Sequence, residues 1–425
     1  MKNFLLNQIY QIRKEGIKTF NSKFRKFFFL IVYSIIAIFF LPIFFIFRLF
    51  SNIILIRFGE LPSNRIGHFA NDVNHYLCNL KNKKNFFSLD FFYLTKPICN
   101  YKLVKIFSNY LYILPKFLVF PFFLINRVKY IGSSKHNIIL TPITGRSLVD
   151  QNFFNKNNYI FNKKDILYGS SFLKNFGISN NDKYICLIVR DGEYLKEYEP
   201  QKNWDYHNYR DCDINNFKIV SNYLTNLGYY VFRMGAKVSK PMITNNKRVI
   251  DFATMGIRNE FLDIFLVAHC EFSITTHLGF DSLIEMFDKP LVCVSVAPIA
   301  HVRSVNKKHL TIFKHHLTIK NQKNLNLSEI FELGLANALD SKNYTDKEIN
   351  LIENSPEEIK EATIEMLKLM QNNFLRDPSK EFLELKFWNI FNNKIKDYEF
   401  RNLHTSFFKA HIGESFLKNN MNFLN

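Results

Sequence analysis

Two stretches of this chain concentrate side chains suited to polar recognition. The first, residues 184–211, reads YICLIVRDGEYLKEYEPQKNWDYHNYRD. Its apolar run from Tyr184 to Val189 is short, β-branched and bounded by charge, which predicts a buried strand. Arg190, Asp191, Tyr194, Tyr206, His207, Tyr209, Arg210 and Asp211 then crowd into one loop beyond the strand's carboxyl end, where open α/β sheets place their ligands. Guanidinium groups offer planar paired donors to phosphate. Asp191, Asp211 and His207 can orient or deprotonate hydroxyls, and tyrosine faces can stack on a sugar or a base. Any single tyrosine belongs more often to a core, so the signal is their density.

The second stretch is Thr275 to Ser282, joining a strand end to a helix start. Within it Gly279 permits close approach by a ligand, with Thr276 and His277 as further candidate contacts in the same loop, while Asp281 or Ser282 can cap the helix whose first amides attract phosphate. The plainer alternative is a well-capped helix with no ligand. Arg233, at another strand end just before Met234 and Gly235, is a candidate for pairing with a diphosphate, against the alternative of a salt bridge. Earlier in the chain Arg65, Gly67 and His68 open a helix. A neutral imidazole there can take a proton from a hydroxyl, unless His68 only caps or packs.

The elements that must carry these residues alternate. A short strand at Ile53 to Ile56, a glycine-bearing loop and a helix from Ala70 make the first turn of a Rossmann-like unit. A strand at Leu89 to Leu94 and a helix near Leu103 to Leu111 continue it. The apolar segment Tyr112 to Ile125 reads equally as core or as a face lying on a membrane. From residue 165 onward helices and strands alternate through Ser295, which predicts a second parallel α/β domain. The predicted boundaries are a basic segment 1–26, a hydrophobic segment 27–50, an N-terminal Rossmann-like domain 51–160, a C-terminal Rossmann-like domain 161–375 and a helical tail 376–425.

Phe27 to Phe47 carry no charge, and at 1.5 Å per residue that run is about 30 Å long, the thickness of a bilayer's hydrocarbon. The basic residues before it put the N-terminus on the cytoplasmic side. A simple span would send the following domains across. Pro42 and a break before Arg48 allow instead an interfacial helix that keeps them cytoplasmic. A net charge of +19 invites nucleic-acid binding, but lysine and asparagine are scattered and 47 phenylalanines point to a composition bias, so no nucleic-acid partner is expected. Positive charge still favours anionic membrane surfaces and phosphate-bearing substrates. The six cysteines lack paired metal spacing and several sit in apolar runs, which suits a reduced compartment. Asp211 and Asp213 flank a helix start and can serve its N-terminus, so no metal site is expected.

Arg65-Ile-Gly-His-Phe69, Arg190-Asp191 with Tyr194, Tyr206-His207-x-Tyr209-Arg210-Asp211, Gly228-Tyr-Tyr-Val-x-Arg233-Met-Gly235, Phe261-Leu-Asp263, Gly279-x-Asp281-Ser282 and Ile412-Gly-x-Ser415-Phe-Leu417 occur in that order. With them the chain resembles an uncharacterised family of bacterial glycosyltransferase-like proteins from surface-polysaccharide gene clusters. The resemblance implies a GT-B fold, with two Rossmann-like domains facing a cleft. It implies transfer of a sugar from a nucleotide-activated donor without an obligatory metal, and no particular donor or acceptor; the acceptor expected here is a cell-surface glycan or lipid-linked molecule, with no cofactor, at the inner membrane with the catalytic domains on the cytoplasmic side. A non-catalytic nucleotide-sugar-binding or scaffold subunit of a polysaccharide assembly complex is the alternative.

Overall fold

The computed structural model describes residues 17–82, 87–128, 131–140, 159–198, 200, 203–376, 381–396 and 409–425. The chain divides into two compact units, the first comprising residues 1–64, 83–98 and 105–141, the second residues 65–82, 99–104 and 142–425. Both are built on parallel sheets, so the fold is mixed α/β as expected. The division differs from the expected boundaries: residues 65–82, 99–104 and 142–160 group with the second unit, as does 376–425, and residues 1–50 group with the first. Helix Ile66–Asn82 follows the first strand in sequence yet groups with the second unit.

In the first unit β1 (Leu55–Leu61), β2 (Ser88–Leu94), β3 (Tyr112–Ile113) and β4 (Asn137–Ile138) form one parallel sheet in the order β3-β2-β1-β4. Arg57 and Asp90 are register partners of β1 and β2, and their side chains meet in two contacts of 2.6 Å. Phe58 stacks on Phe122 of helix Lys116–Ile125 with ring centroids 4.5 Å apart. Tyr93, Val119 and Phe123 complete this core. Helix Ile17–Leu49 is continuous through Pro42 and past Arg48, so the break expected before Arg48 is absent. The 27 residues Lys23–Leu49 are long and apolar enough to cross a membrane.

The second unit carries β5 (Tyr184–Ile188), β6 (Tyr230–Met234), β7 (Val249–Ile250), β8 (Ser273–Thr275), β9 (Leu291–Val296), β10 (His309–Phe313), the antiparallel pair β11 (His315–Thr318) and β12 (Ile349–Ile352), and β13 (His411–Ile412). Its main sheet runs β13-β10-β9-β8-β5-β6-β7, parallel throughout. Every residue of β5 and β9 is buried, as uninterrupted apolar runs require when helices cover both faces. The chain winds outward from β5 through β6 to β7, then returns to β8 on the other side of β5 and winds the opposite way. That doubly wound order leaves a switch point between β5 and β8.

The segment after residue 376 is less of a tail than the sequence suggests. β13 extends the sheet beside β10. Helix Glu381–Ile395 buries Phe387, Trp388 and Phe391, with Phe387 stacked on Phe313 at 5.4 Å. Another long-range tie closes the sheet's carboxyl side. Asn354, fully buried, accepts the Ser295 amide at 2.6 Å and donates to the Phe313 carbonyl at 2.9 Å. Removing it strands two main-chain groups, each costing about 1–3 kcal/mol when buried unpaired. Asn354→Ala is therefore expected to lower the thermal midpoint by several degrees; a midpoint equal to that of the wild type would show that these bonds contribute nothing.

Candidate functional site

All of the sequence-predicted site residues fall in the second unit. Those at the strand ends gather on one loop. Beyond β8, Thr276 donates its amide to the Ile188 carbonyl at 3.3 Å, while its hydroxyl accepts the Arg190 amide at 2.8 Å. The carboxyl ends of β5 and β8 are thus laced together at the switch point. Arg210 donates to the His277 carbonyl in the same loop at 2.5 Å. The Arg190 Nε donates to Asp211 at 3.2 Å, and the Lys314 ammonium donates to the Asp211 carbonyl at 2.7 Å. The Arg190 and Lys314 side chains thus meet at Asp211, while its neighbour Arg210 reaches the loop after β8.

Their charges are only partly answered. Burial, with Arg190 as a like-charged neighbour, pulls the Arg210 guanidinium down to about 10, and its Nε is buried with no hydrogen-bond partner among the described residues. Burial pushes the Asp211 carboxyl above its usual range, opposed by Arg190 and Lys314. A site that disfavours its own guanidinium is stabilised when an anion arrives.

The loop itself is held in a fixed shape. His277 has a positive φ of 57°, a conformation costly for a residue with a side chain. Asp281, wholly buried, accepts the Leu278 amide at 3.0 Å. Burial raises its pKa to about 6 against the pull of the Arg303 guanidinium, 3.7 Å away. Ser282 is buried beside it. Gly279 meets Gly67: a Cβ built on Gly67 would stand 2.8 Å from the Gly279 Cα. Only hydrogen at that position lets the start of helix Ile66–Asn82 reach the loop, so the Arg65 and Gly279 motifs, more than two hundred positions apart, share one surface.

One turn into that helix, His68 faces Asp72 with Nδ1 3.3 Å from the carboxylate. The side chain of His68 is 31% exposed and that of Asp72 only 2%. A buried carboxylate accepting from Nδ1 leaves Nε2 as the proton acceptor. Asp72 was missed from the sequence, although its i+4 spacing from His68 places both on one helix face. Arg65, exposed, immediately precedes the helix.

Other expected site residues take structural roles. Arg233 is 1% exposed, and its Nη1 donates to Asp251 at 3.1 Å and to the Lys240 carbonyl at 3.0 Å, while its Nε is buried with no hydrogen-bond partner among the described residues. The structure thus shows the salt bridge that stood as the alternative to a diphosphate ligand. Gly235 sits in a tight turn, where a Cβ would meet Val238 at 2.7 Å. Asp191 accepts from the Glu193 amide at 3.1 Å and from the Ser239 amide and hydroxyl at 2.8 and 3.1 Å. Its carboxylate pins two loops together, which does not suit a general base. The aromatic loop also packs on itself. Trp204 stacks on Tyr206, His207 lies 4.0 Å from Tyr206, and Tyr209 is buried against Tyr344. Ser341 stitches this cluster down, donating to the Asp205 and Tyr206 carbonyls and accepting the Tyr209 amide. Tyr194 alone of the three expected tyrosines is exposed, stacked on Tyr198 at 5.9 Å.

No protein-family model matches the chain, and no curated protein matches it in sequence. Solved structures similar to it are glycosyltransferases. An E. coli ADP-heptose heptosyltransferase II is 13% identical, covering 75% of this chain and 99% of its own, with a TM-score of 0.37. A glycosyl transferase family 9 protein from Veillonella parvula is 11% identical over 74% of this chain and 97% of its own, TM-score 0.41. The E. coli heptosyltransferase WaaC, solved with an ADP-heptose analogue, is 8% identical over 61% and 92%, TM-score 0.30. At these scores the function has to be argued from the side chains.

His277, Asp281 and Cys293 offer ligand atoms within 4.8 Å of one another. Arg303 already answers the Asp281 charge and also pairs with Glu285, so a divalent cation would enter against a buried guanidinium. The contrast between Arg210 and Arg233 is open to experiment. Arg233→Ala leaves the Asp251 charge largely buried and unpaired, a loss of about 3–5 kcal/mol. The variant is expected to unfold at clearly lower urea concentration; one that folds like the wild type and loses only phosphate-ligand affinity would return Arg233 to the site.

Proposed function

We propose that the chain is a glycosyltransferase that takes a nucleotide-activated sugar at the β5–β8 switch point and passes it to a hydroxyl of a glycan or lipid-linked acceptor. The observation that carries this reading is a cluster of cations beside the loop from Thr276 to Gly279: the Arg210 guanidinium donates to its His277 carbonyl, the Arg190 and Lys314 side chains meet at the neighbouring Asp211, and Gly67 brings the start of helix Ile66–Asn82 against Gly279. A diphosphate is the ligand such a place suits. Guanidinium donors pair with its oxygens, and the amides of a helix start carry partial positive charge toward it. As the bond from the anomeric carbon to the donor oxygen breaks, negative charge grows on the leaving diphosphate, and these fixed positive groups stabilise it.

The acceptor oxygen must lose its proton as it forms the new glycosidic bond. His68 supplies the base: Nε2 takes the proton, while Asp72 holds Nδ1 and stabilises the imidazolium that results. Attack by a separately activated hydroxyl predicts inversion at the anomeric carbon. Neutralising the leaving group with guanidinium and ammonium groups removes the need for a metal, so activity is proposed to be metal-independent. The weak likeness to heptosyltransferases agrees with this chemistry without identifying the donor.

Purified full-length protein should release nucleotide diphosphate from one member of a panel of ADP-, GDP- and UDP-sugars when supplied with membranes bearing acceptor. His68→Asn should lower turnover about a hundredfold to ten-thousandfold, the usual contribution of a general base, with donor affinity retained. Binding with no turnover on any donor would favour a non-catalytic nucleotide-sugar-binding subunit. Undiminished turnover in His68→Asn would remove the base assignment.

A further inference from the structure

The charge of the chain is distributed unevenly. The residues of the first unit carry seventeen lysines and arginines against three acids, whereas the much longer second unit carries 39 against 34. Composition bias alone, the explanation drawn from the sequence, does not produce that division. Two of the three acids are engaged internally: Glu60 accepts the Tyr93 hydroxyl, and Asp90 holds Arg57 at 2.6 Å. The third, Glu15, lies outside the described residues.

The same unit bears the apolar helix Ile17–Leu49, and the way this helix is held limits what it can do. Tyr33, Ala37, Phe40, Phe44 and Phe47 recur at three- and four-residue spacing and form its inward stripe. Tyr33 meets Phe120, Phe40 meets Phe122 and Phe47 meets Phe58 of β1. Lys116 lies over the rings of both Tyr33 and Tyr93 of β2. The stripe therefore runs along the unit's own sheet and helix Lys116–Ile125 from residue 33 to residue 47.

Between Arg25-Lys26 and Tyr33 only residues 27–32 are apolar and clear of that packing. Six residues rise about 9 Å, against roughly 30 Å of hydrocarbon. An open parallel sheet cannot follow the helix into lipid, because its edge amides and carbonyls would lose their water. Yet Ile38, Phe39, Ile43, Phe45, Ile46 and Leu49 are exposed around the rest of the helix. Lys23 and Arg25 stand near one end and Arg48 near the other.

We propose that this face of the first unit docks on a lipid leaflet rich in anionic headgroups, with helix Ile17–Leu49 lying in the plane of the interface. Its inward stripe stays on the protein, its exposed apolar face enters the acyl region, and cations at both ends sit among the headgroups on the same side. Charge complementarity selects the occupant: a surface this poor in acids suits an anionic leaflet better than another copy of itself. The inference is independent of the sugar-transfer reading.

Two measurements on the full chain test it. In sealed inside-out membrane vesicles from expressing cells, Asn21→Cys and Asn52→Cys should both react with a membrane-impermeant maleimide added outside, above the wild-type background. Reaction of the two from opposite faces would establish a span and overturn the proposal. In flotation, wild-type protein should travel with phosphatidylcholine vesicles containing phosphatidylglycerol at least tenfold better than with pure phosphatidylcholine. Phe39→Ser, checked for an unchanged melt, should lose that binding. Equal binding to both vesicles, or self-association in place of binding, would also overturn it.

Discussion

The hydrogen bond from the Arg190 amide to the Thr276 hydroxyl spans the gap between β5 and β8, the place where the sheet of the second unit changes its direction of winding. Parallel strands on either side of a switch point send their connections to opposite faces, so the turns that leave them diverge and expose amides between them. Closing that opening completely would bury those groups at a cost. Here Thr276 ties the two strand ends together through its amide and its hydroxyl, with Arg210 on the adjacent His277 carbonyl and Arg190 and Lys314 on Asp211 beside it. Gly67 depends on the same arrangement, since helix Ile66–Asn82 reaches the loop at Gly279 only because residue 67 carries no side chain at the contact.

This architecture explains the uneven fates of the polar residues. Groups on the loop's inner side, such as Asp281, pay for burial through raised pKa values and are held by cations behind them. Those beside the loop, Arg190 and Arg210, have partners that use part of their donor capacity. His68 directly follows Gly67 at the contact and Asp72 lies one turn further along, so the helix that approaches the loop also carries the proposed base. The two units divide their labour by charge: one is strongly cationic and carries the apolar helix, while the other is nearly balanced and carries the site residues.

Much of the second unit was legible in the sequence, because strands such as β5 are short, largely apolar runs and several helices are bounded by residues that start or stop one. Helix Glu260–His269 begins at an Asn259 cap, and β9 begins after Lys289-Pro290. What the sequence could not supply was pairing across distance. Arg233 reads as a ligand at a strand end until Asp251, eighteen positions on, is seen to hold it. The density of Tyr206, His207 and Tyr209 reads as a sugar platform, but residues 341–345 lie against it and turn it into local core. Of the two acids in Asp211-Cys212-Asp213, only Asp213 serves the helix start, its carboxylate accepting the Asn215 amide, whereas Asp211 pairs with Arg190. The concentration of positive charge was missed because it becomes visible only once the fold sorts the chain into units.

In the proposed complex a nucleotide diphosphate sits on the loop between Thr276 and Gly279 and on the start of helix Ile66–Asn82. Hydrogen exchange followed by mass spectrometry, with ADP, GDP and UDP each added to the protein, reads that contact. One of them should slow exchange in peptides spanning residues 275–282 and 65–70 together, and Arg210→Met should abolish the effect while leaving the exchange of β5 and β9 unchanged. Protection by nucleotide confined to other peptides, or protection undiminished in Arg210→Met, would contradict that placement.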